Sequence, residues 1–150
     1  MPIGEVCTRE VVIVEKSASI QDAAHLMRQY HVGDLVVVAP DAEERRVPVG
    51  ILTDRDIIVE LIAEGVDPAK VVVGDVMSTD LLLVREHDGI WETLQYMRTK
   101  GVRRAPVVDA GGGLVGIISA DDMLELLADE LNALASIIRR EQIKENKTRR

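Results

Sequence analysis

Apolar positions along the chain follow two spacings, and the same succession occurs in both halves. Runs of aliphatic residues predict strands, and apolar residues three or four apart predict helices with one buried face. Each half shows a first strand (11–14 and 81–84), a helix (20–27 and 90–97), a second strand (35–38 and 106–108) and a third strand (ending at 50–52 and 116–118). A second helix then begins at Thr53 or Ser119. The pattern predicts a β-α-β-β-α unit that occurs twice.

The two halves align residue by residue apart from one loop. An offset of 70 residues relates them up to the second strand, and an offset of 66 relates them from the third strand onwards. The difference falls in the connection between these strands, which spans 39–47 in the first half and 109–113 in the second. Surface loops tolerate such changes, so we expect both halves to share one fold. The short connection in each half predicts a hairpin.

These boundaries predict a first repeat at 1–72, a second repeat at 73–128 and a C-terminal helical extension at 129–150 with a basic tail. The tail, 139–150, carries six Lys/Arg and two Glu, and we expect it to be a solvated or frayed end.

Apolar residues at intervals of 3, 4, 3 and 4 form a seam of two heptads, too short to predict a coiled coil by itself: Leu124, Leu127, Leu131, Leu134 and Ile138. The seam predicts that the last helix continues and offers its later turns to a partner subunit.

Composition narrows the possible functions. Hydrophobic residues make up 47 % of the chain and aromatic residues only 2 %, with no Phe, so the core must be aliphatic. Few aromatic stacking platforms and a net charge of −8 argue against nucleic-acid binding. Cys7 is the single cysteine, which excludes an intrachain disulfide. With no leader-like segment and no apolar run of membrane-spanning length, the sequence predicts a soluble, cytoplasmic protein that binds no membrane.

One motif carries candidate chemistry in both halves. Glycine, two apolar residues, Ser or Thr, two further residues and Asp occur as Gly50–Asp56 and again as Gly116–Asp122. The spacing places a hydroxyl and a carboxylate in the first turn of a helix, where they can hydrogen-bond the two hydroxyls of a ribose. The same spacing is a capping box, in which both side chains satisfy backbone N–H groups of the helix. Spacing alone leaves both roles open.

With these repeats and motifs, the chain resembles a tandem pair of cystathionine-β-synthase (CBS) domains, the Bateman module, over about residues 6–128. The stretch Val102–Asp109 also resembles the family's second-strand region. The resemblance implies an α/β (α+β) fold of two CBS repeats packed with pseudo-twofold symmetry, with two clefts and a C-terminal helix. It further implies a regulator that binds AMP, ADP, ATP or S-adenosylmethionine, needs no cofactor, forms a homodimer and modulates an unknown partner protein.

By the same resemblance, the predicted ligand contacts fall into three groups. The ribose would be bound by Thr53, Asp56, Ser119 and Asp122, and the phosphate by Arg55, Arg103 and Arg104. The adenine slot would be lined by Thr8, Val11, Val12, His31, Val32, Gly33, Ser78, Leu81, Leu82 and Val102. No metal ligands are expected.

The two repeats carry different charges at positions that the resemblance places near the ligand. Arg55 in the first motif corresponds to Asp121 in the second, and Gly33–Asp34 corresponds to Arg103–Arg104. We therefore expect two unequal clefts, with the first motif better suited to phosphate through its own Arg55.

The sequence bears differently on two other functions. An enzyme is disfavoured because the three histidines do not recur at equivalent positions and lack metal-ligand spacing, and because no phosphate-binding P-loop motif is present. A ligand-free structural or dimerisation module remains the alternative, and binding of a nucleotide would distinguish it from a sensor.

Overall fold

A computed structural model describes residues 1–149. The chain forms two compact units, one spanning Met1–Ile118 and one beginning at Ser119. The first unit contains both three-stranded sheets and the second is a single long helix. The predicted mixed α/β fold with a C-terminal helix is confirmed.

The first repeat contains all predicted elements and one more. A short helix, α1 (Ile3–Val6), precedes β1 (Ile13–Glu15), α2 (Ile20–Tyr30), β2 (Asp34–Pro40), β3 (Arg46–Thr53) and α3 (Asp54–Asp56). From α3 the chain continues as a π-helical segment, Ile57–Ile62, and a 3₁₀ turn follows at Pro68–Lys70. Gly65 follows this segment in a left-handed conformation with φ of 68°, which glycine adopts without a Cβ clash.

The second repeat has the same order of elements. It comprises α4 (Val73–Val76), β4 (Val84–Arg85), α5 (Ile90–Lys100), β5 (Arg104–Val108) and β6 (Leu114–Ser119). The second unit is α6 (Ala120–Thr148).

Four expectations from the sequence need correction. The first strands begin later than predicted, at Ile13 and Val84, because only these residues pair with the neighbouring strand. The short helices α1 and α4 were not predicted, since four residues give no periodicity. The second helix of the first repeat is interrupted by π-helical hydrogen bonding. The basic tail was expected to be solvated or frayed; its residues up to 149 are exposed, but α6 continues through it as helix to Thr148.

Each repeat builds one sheet with its second strand in the middle. β1 lies parallel to β2, with Ile13 opposite Val36, and β3 lies antiparallel to β2 with a register shift between Val37 and Val38. β4 likewise lies parallel to β5, and β6 completes that sheet. The middle strands are buried on both faces, which explains their continuous aliphatic sequence.

The helices α2 and α5 cover the sheets with the predicted apolar faces. Ile20, Ala23 and Met27 of α2 are buried, as are Ile90 and Met97 at the equivalent positions of α5. Ser19 caps α2 by accepting a hydrogen bond from the Asp22 N–H at 3.0 Å.

The two repeats exchange their leading segments. The segment that precedes the second repeat's sheet pairs with β3 of the first, because Ser78 and Ile51 exchange N–H···O bonds of 2.8 and 3.0 Å. Thr8 and Ile117 exchange the equivalent pair, both at 2.9 Å, so the leading segment of the first repeat pairs with β6. Neither repeat completes its own sheet edge, and each depends on the other.

The exchange explains the glycine at the start of each motif. A Cβ on Gly50 would lie 2.5 Å from Met77 Sγ and 3.0 Å from the Ser78 carbonyl oxygen. A Cβ on Gly116 would lie 2.6 Å from Cys7 Sγ and 2.8 Å from the Thr8 carbonyl oxygen. Both glycines therefore leave room for a crossing segment of the other repeat.

One ion pair joins equivalent positions of the two repeats. Arg104 Nε lies 3.1 Å from Asp34 Oδ1, and these residues are related by the repeat offset of 70. Equivalent positions meet at a pseudo-twofold axis, so identical charged residues there would repel each other. The difference between Asp34 and Arg104, visible in the sequence only as an asymmetry, turns this contact into an attraction.

The environment of Asp34 opposes its ionisation. Burial raises the pKa of the Asp34 carboxyl group above its usual value, the Arg104 guanidinium lowers it, and the neighbouring Asp54 carboxylate raises it again. Because the folded-state pKa is raised, Asp34 favours the folded state at low pH. That contribution is lost as the pH rises above the usual value of 3.8 through the folded-state pKa.

We expect Gly116→Ala to lower the free energy of unfolding by about 2–3 kcal/mol, because the new methyl group meets a backbone carbonyl that cannot move alone. Gly50→Ala should cost less, since its nearest contact is the flexible end of Met77. Gly89→Ala is the control, because its Cβ would meet only an ordinary contact at 3.9 Å, and it should cost less than about 1 kcal/mol. Urea unfolding that gives equal values for Gly116→Ala and Gly89→Ala would contradict the crossing geometry.

Reversing either member of the axial ion pair should destabilise the protein. Arg104→Asp places two carboxylates together and Asp34→Arg places two guanidinium groups together, each costing about 1–2 kcal/mol at this partly exposed site. The exchanged double variant, Asp34→Arg with Arg104→Asp, should recover most of the loss in urea unfolding. If the two single losses simply add in the double variant, the residues do not interact.

The pKa of Asp34 should move in opposite directions in two variants. Arg104→Gln removes the opposing cation and should raise the pKa, whereas Asp54→Asn removes a repelling carboxylate and should lower it. A pH titration of the side-chain carboxyl carbon by NMR measures both. Shifts of the same sign in the two variants would contradict this arrangement.

Candidate functional site

A cleft within the unit Met1–Ile118 brings the two repeats together. It has a volume of about 190 Å³ and is lined by Ile51, Thr53, Ser78, Asp80, Leu81, Leu82, Val102, Arg103 and Arg104. The first two residues belong to the first repeat and the other seven to the second. We refer to it as the inter-repeat cleft.

The segment exchange builds this cleft. Because Ser78 pairs with Ile51, the extended stretch that follows it runs past the end of β3, where Thr53 lies. Leu81 and Leu82 come directly after this pairing and before β4 begins at Val84, so they face the cleft rather than lying within a strand. The opposite wall is the loop that connects α5 with β5, where Val102 and Arg103 lie.

Thr53 contributes a hydroxyl at the end of β3. It is the N-cap of α3, and its Oγ1 accepts a hydrogen bond from the Asp56 N–H at 3.0 Å. Since a hydroxyl both accepts and donates, this bond leaves the Thr53 proton available to a ligand oxygen in the cleft. Capping and ligand contact are therefore compatible at Thr53.

Asp56 completes the capping box. Its Oδ2 accepts a hydrogen bond from the Thr53 N–H at 3.0 Å, so the capping role that the sequence left open is present. Asp56 lines a second depression of about 480 Å³, together with Glu60, Leu61, Val66, Val71, Asp75, Val76, Met77 and Ser78. Thr53 and Asp56 are thus only three positions apart in the chain but line different depressions, and Ser78 borders both.

The arginines of the inter-repeat cleft come from the second repeat. Arg103 and Arg104 line it, whereas Arg55 is exposed at the first turn of α3, where its N–H bonds Asp54 Oδ1 at 2.8 Å. Arg55 does not line the inter-repeat cleft, and its contact with phosphate stays a prediction. Arg104 is also held by Asp34, which partly neutralises its charge.

The predicted adenine-slot residues divide into two sets. Ser78, Leu81, Leu82 and Val102 lie together in the inter-repeat cleft. The equivalent residues of the first repeat lie elsewhere: Thr8 pairs with Ile117, the Val12 carbonyl accepts from Val36, His31 ends α2 in a left-handed conformation, Val32 follows it, and the Gly33 carbonyl accepts from Asp54. Val11 is half-buried ahead of β1.

Ser119 and Asp122 lie in the second unit. Ser119 is the N-cap of α6, and its Oγ accepts a hydrogen bond from the Asp122 N–H at 3.1 Å. This bond repeats the one between Thr53 and Asp56, so the two motifs share their capping function. Their ribose role remains a prediction.

Sequence reasoning missed two contributors to the inter-repeat cleft. Ile51 was placed only at the end of the third strand, and Asp80 was not considered. Asp80 forms an ion pair with Lys100, the last residue of α5, which places a further cation beside the cleft. No periodicity could have revealed this pair, because Asp80 lies before β4 and Lys100, 20 positions later, ends α5.

Other reactive groups in the described chain are few. Burial raises the pKa of the Cys7 thiol, which keeps it protonated and weakly nucleophilic at neutral pH. Within residues 1–149 no three His, Cys, Asp or Glu side chains are grouped so as to hold a metal ion. The helices of that same range include none with the length and apolarity needed to cross a membrane.

Comparisons with known proteins agree with the repeat. The CBS domain family matches the chain twice, at residues 3–63 and 73–129. A CBS domain-containing protein of Bacillus subtilis, YhcV, is 36 % identical over 121 residues, which cover 81 % of each protein. An uncharacterized protein of Methanopyrus kandleri is 33 % identical over 124 residues, covering 83 % of this chain but only 61 % of its relative.

Among solved structures, the CBS domain pair of protein MJ0100 shares the fold with a TM-score of 0.72 and 20 % sequence identity. The alignment covers 87 % of this chain and 98 % of that one, and the structure contains 5′-methylthioadenosine and S-adenosyl-L-methionine. The double family match, the internal repeat and the two sheets lead to one conclusion: this chain belongs to the CBS domain family and contains a tandem pair of CBS domains.

Proposed function

We propose that this protein is a regulatory module that binds an adenosine-containing ligand, of the AMP, ADP, ATP or S-adenosylmethionine class, and modulates a partner protein. One observation carries the proposal. The inter-repeat cleft combines hydroxyls (Thr53 and Ser78), an aliphatic wall (Leu81, Leu82 and Val102) and two guanidinium groups (Arg103 and Arg104). These are the three kinds of group that a ribose, an adenine ring and an anionic substituent require.

The groups that line the cleft support one orientation of the bound ligand. The adenine ring would lie against the leucines, where burial of its faces is favourable. A phosphate would approach Arg103 and Arg104, which both line the cleft. S-Adenosylmethionine carries a sulfonium cation and a carboxylate, so Asp80 and the arginines offer partners for both ends.

The cleft is large enough to enclose only part of such a ligand. Small-molecule sites usually measure about 300–1,000 Å³, and this one measures about 190 Å³. It therefore suits the nucleoside part of a ligand, with the charged part extending towards solvent. The ligands of the MJ0100 domain pair are both adenosine derivatives, which supports this choice of class.

Regulation would follow from the composition of the cleft walls. A ligand that contacts Thr53 of the first repeat and Arg103 of the second links the two repeats directly. Their mutual packing would then differ between the free and bound states, and a coupling of about 1–3 kcal/mol is enough to alter a partner's activity. We propose no catalytic role, and we propose that the module acts as a homodimer.

A second candidate function rests on a separate observation. The helix α6 exposes several large apolar side chains, including Leu131 and Leu134. A ligand-free dimerisation module would need this surface and would not need the inter-repeat cleft. Binding measurements on the cleft therefore separate the two functions.

Removing the Thr53 hydroxyl should weaken ligand binding. We expect Thr53→Val to raise the dissociation constant about tenfold or more, the loss of one hydrogen bond to a ligand, while Thr53→Ser retains affinity because serine stands at the equivalent position of the second repeat. Calorimetric titration with AMP, ADP, ATP and S-adenosylmethionine measures both variants.

The control for lost stability is Ser19→Ala. It removes a helix N-cap at α2, as Thr53→Val does at α3, but Ser19 does not line the inter-repeat cleft. If Ser19→Ala weakens binding as much as Thr53→Val, the cleft assignment is wrong. If none of the four ligands binds the wild-type protein, the ligand class is wrong.

Asp56 receives a separate test because it lines the other depression. If the carboxylate also binds the ribose, Asp56→Ala should weaken binding about tenfold beyond the effect of Ser19→Ala. Unchanged affinity in both Asp56→Ala and Asp122→Ala would show that these residues cap helices and do not contact ribose.

A further inference from the structure

The helix α6 carries an apolar stripe along most of its length. Side chains three and four residues apart lie on one face of a helix, and five aliphatic residues share such a face: Leu124, Leu127, Leu131, Leu134 and Ile138. Leu127 is half-buried, whereas the other four are 54–68 % exposed. From Leu124 to Ile138 the stripe extends about 21 Å along the helix axis, at 1.5 Å per residue.

Charge is divided between the two ends of the same helix. Residues 120–130 contain five Asp/Glu and no Lys/Arg, and residues 131–138 contain no charged residue. Residues 139–149 contain five Lys/Arg and two Glu. The helix is therefore acidic in its first third, uncharged in the middle and basic in its last third.

The helix macrodipole does not account for this division. Acidic residues near an N-terminus and basic residues near a C-terminus are favourable, but the effect is confined to the first and last turns. Asp129 and Glu130 lie well beyond the first turn, and Arg139 and Arg140 lie well before the last. Their distribution calls for a different partner.

We infer that α6 pairs with α6 of a second copy of this chain, along this stripe and in antiparallel orientation. In that orientation the acidic third of each helix lies beside the basic third of the other, and the uncharged middle segments cross near Leu134. A parallel pair would place five acidic residues of one copy beside five of the other, which is unfavourable. The inference rests on the homodimer of the proposed function and not on its ligand.

Two equally exposed isoleucines, one on the apolar stripe and one off it, allow a test of whether the stripe forms the dimer interface. Ile138 is 54 % exposed and Ile143 is 56 % exposed, but Ile143 lies about 140° around the helix, off the stripe. Ile138→Gln should raise the dimer dissociation constant at least about tenfold, as sedimentation equilibrium would show, while Ile143→Gln leaves it within about twofold. Equal effects of the two variants, or a wild-type protein that is monomeric at high concentration, would overturn the inference.

Spin labels test the orientation in a Cys7→Ala background. Labels on Asn146→Cys should lie roughly 36 Å apart in the antiparallel pair, because each residue is 12 positions from the crossing point. In a parallel pair they would lie about 10 Å apart, near the usual spacing of packed helices. Labels on Ala133→Cys should be close in either case, which confirms that helices are paired. Close labels at residue 146 would overturn the antiparallel assignment.

Salt and charge reversal give an independent test. The antiparallel pair should weaken as NaCl is raised, because attraction between opposite charges is screened. Reversing Arg139 and Arg140 to Glu should weaken it too, and reversing Asp129 and Glu130 to Lys in the same chain should restore it. A dimer strengthened by salt would overturn the inference. Nucleotide affinity measured on the same variants should be unchanged, so a failure here is distinct from a failure of the proposed ligand function.

Discussion

The exchange of leading segments between the repeats is the contact on which the rest of the structure depends. Ser78 pairs with Ile51 and Thr8 pairs with Ile117, so each repeat supplies the segment that borders the other repeat's third strand. The inter-repeat cleft exists because of this exchange, since it brings Leu81 beside Thr53. The motif glycines leave room for the crossing segments, so they serve the fold whether or not a ligand binds.

One sequence difference between the repeats is explained by a contact between the two differing residues. Asp34 and Arg104 occupy equivalent positions and meet each other, so opposite charges stabilise a contact that identical charges would disrupt. The same pair limits the charge that Arg104 can offer to a ligand. Asymmetry in the sequence was interpreted as a sign of two unequal clefts, and the structure adds that part of it is needed for the repeats to pack.

The sequence predicted most of the fold because periodicity reports local burial. The second and third strands of each repeat, α2, α5 and the helix starts at Thr53 and Ser119 lie where the pattern placed them. It did not predict α1 and α4, whose backbone N–H groups bond carbonyls of the other repeat, as Gly4 bonds Glu86. Nor did it predict the π-helical segment Ile57–Ile62, because the apolar residues there keep the spacing of an ordinary α-helix.

The sequence by itself determined the repeat, the aliphatic core and the residues at which each motif helix begins, because these depend on neighbours within a few positions. Only the tertiary structure decided that Thr53 shares a cleft with Arg103 rather than with Arg55, and that Asp56 faces a different depression. The first placement depends on residues 50 positions apart, and the second on residues about 20 positions apart. Such contacts follow from how the two repeats cross, which no local pattern encodes.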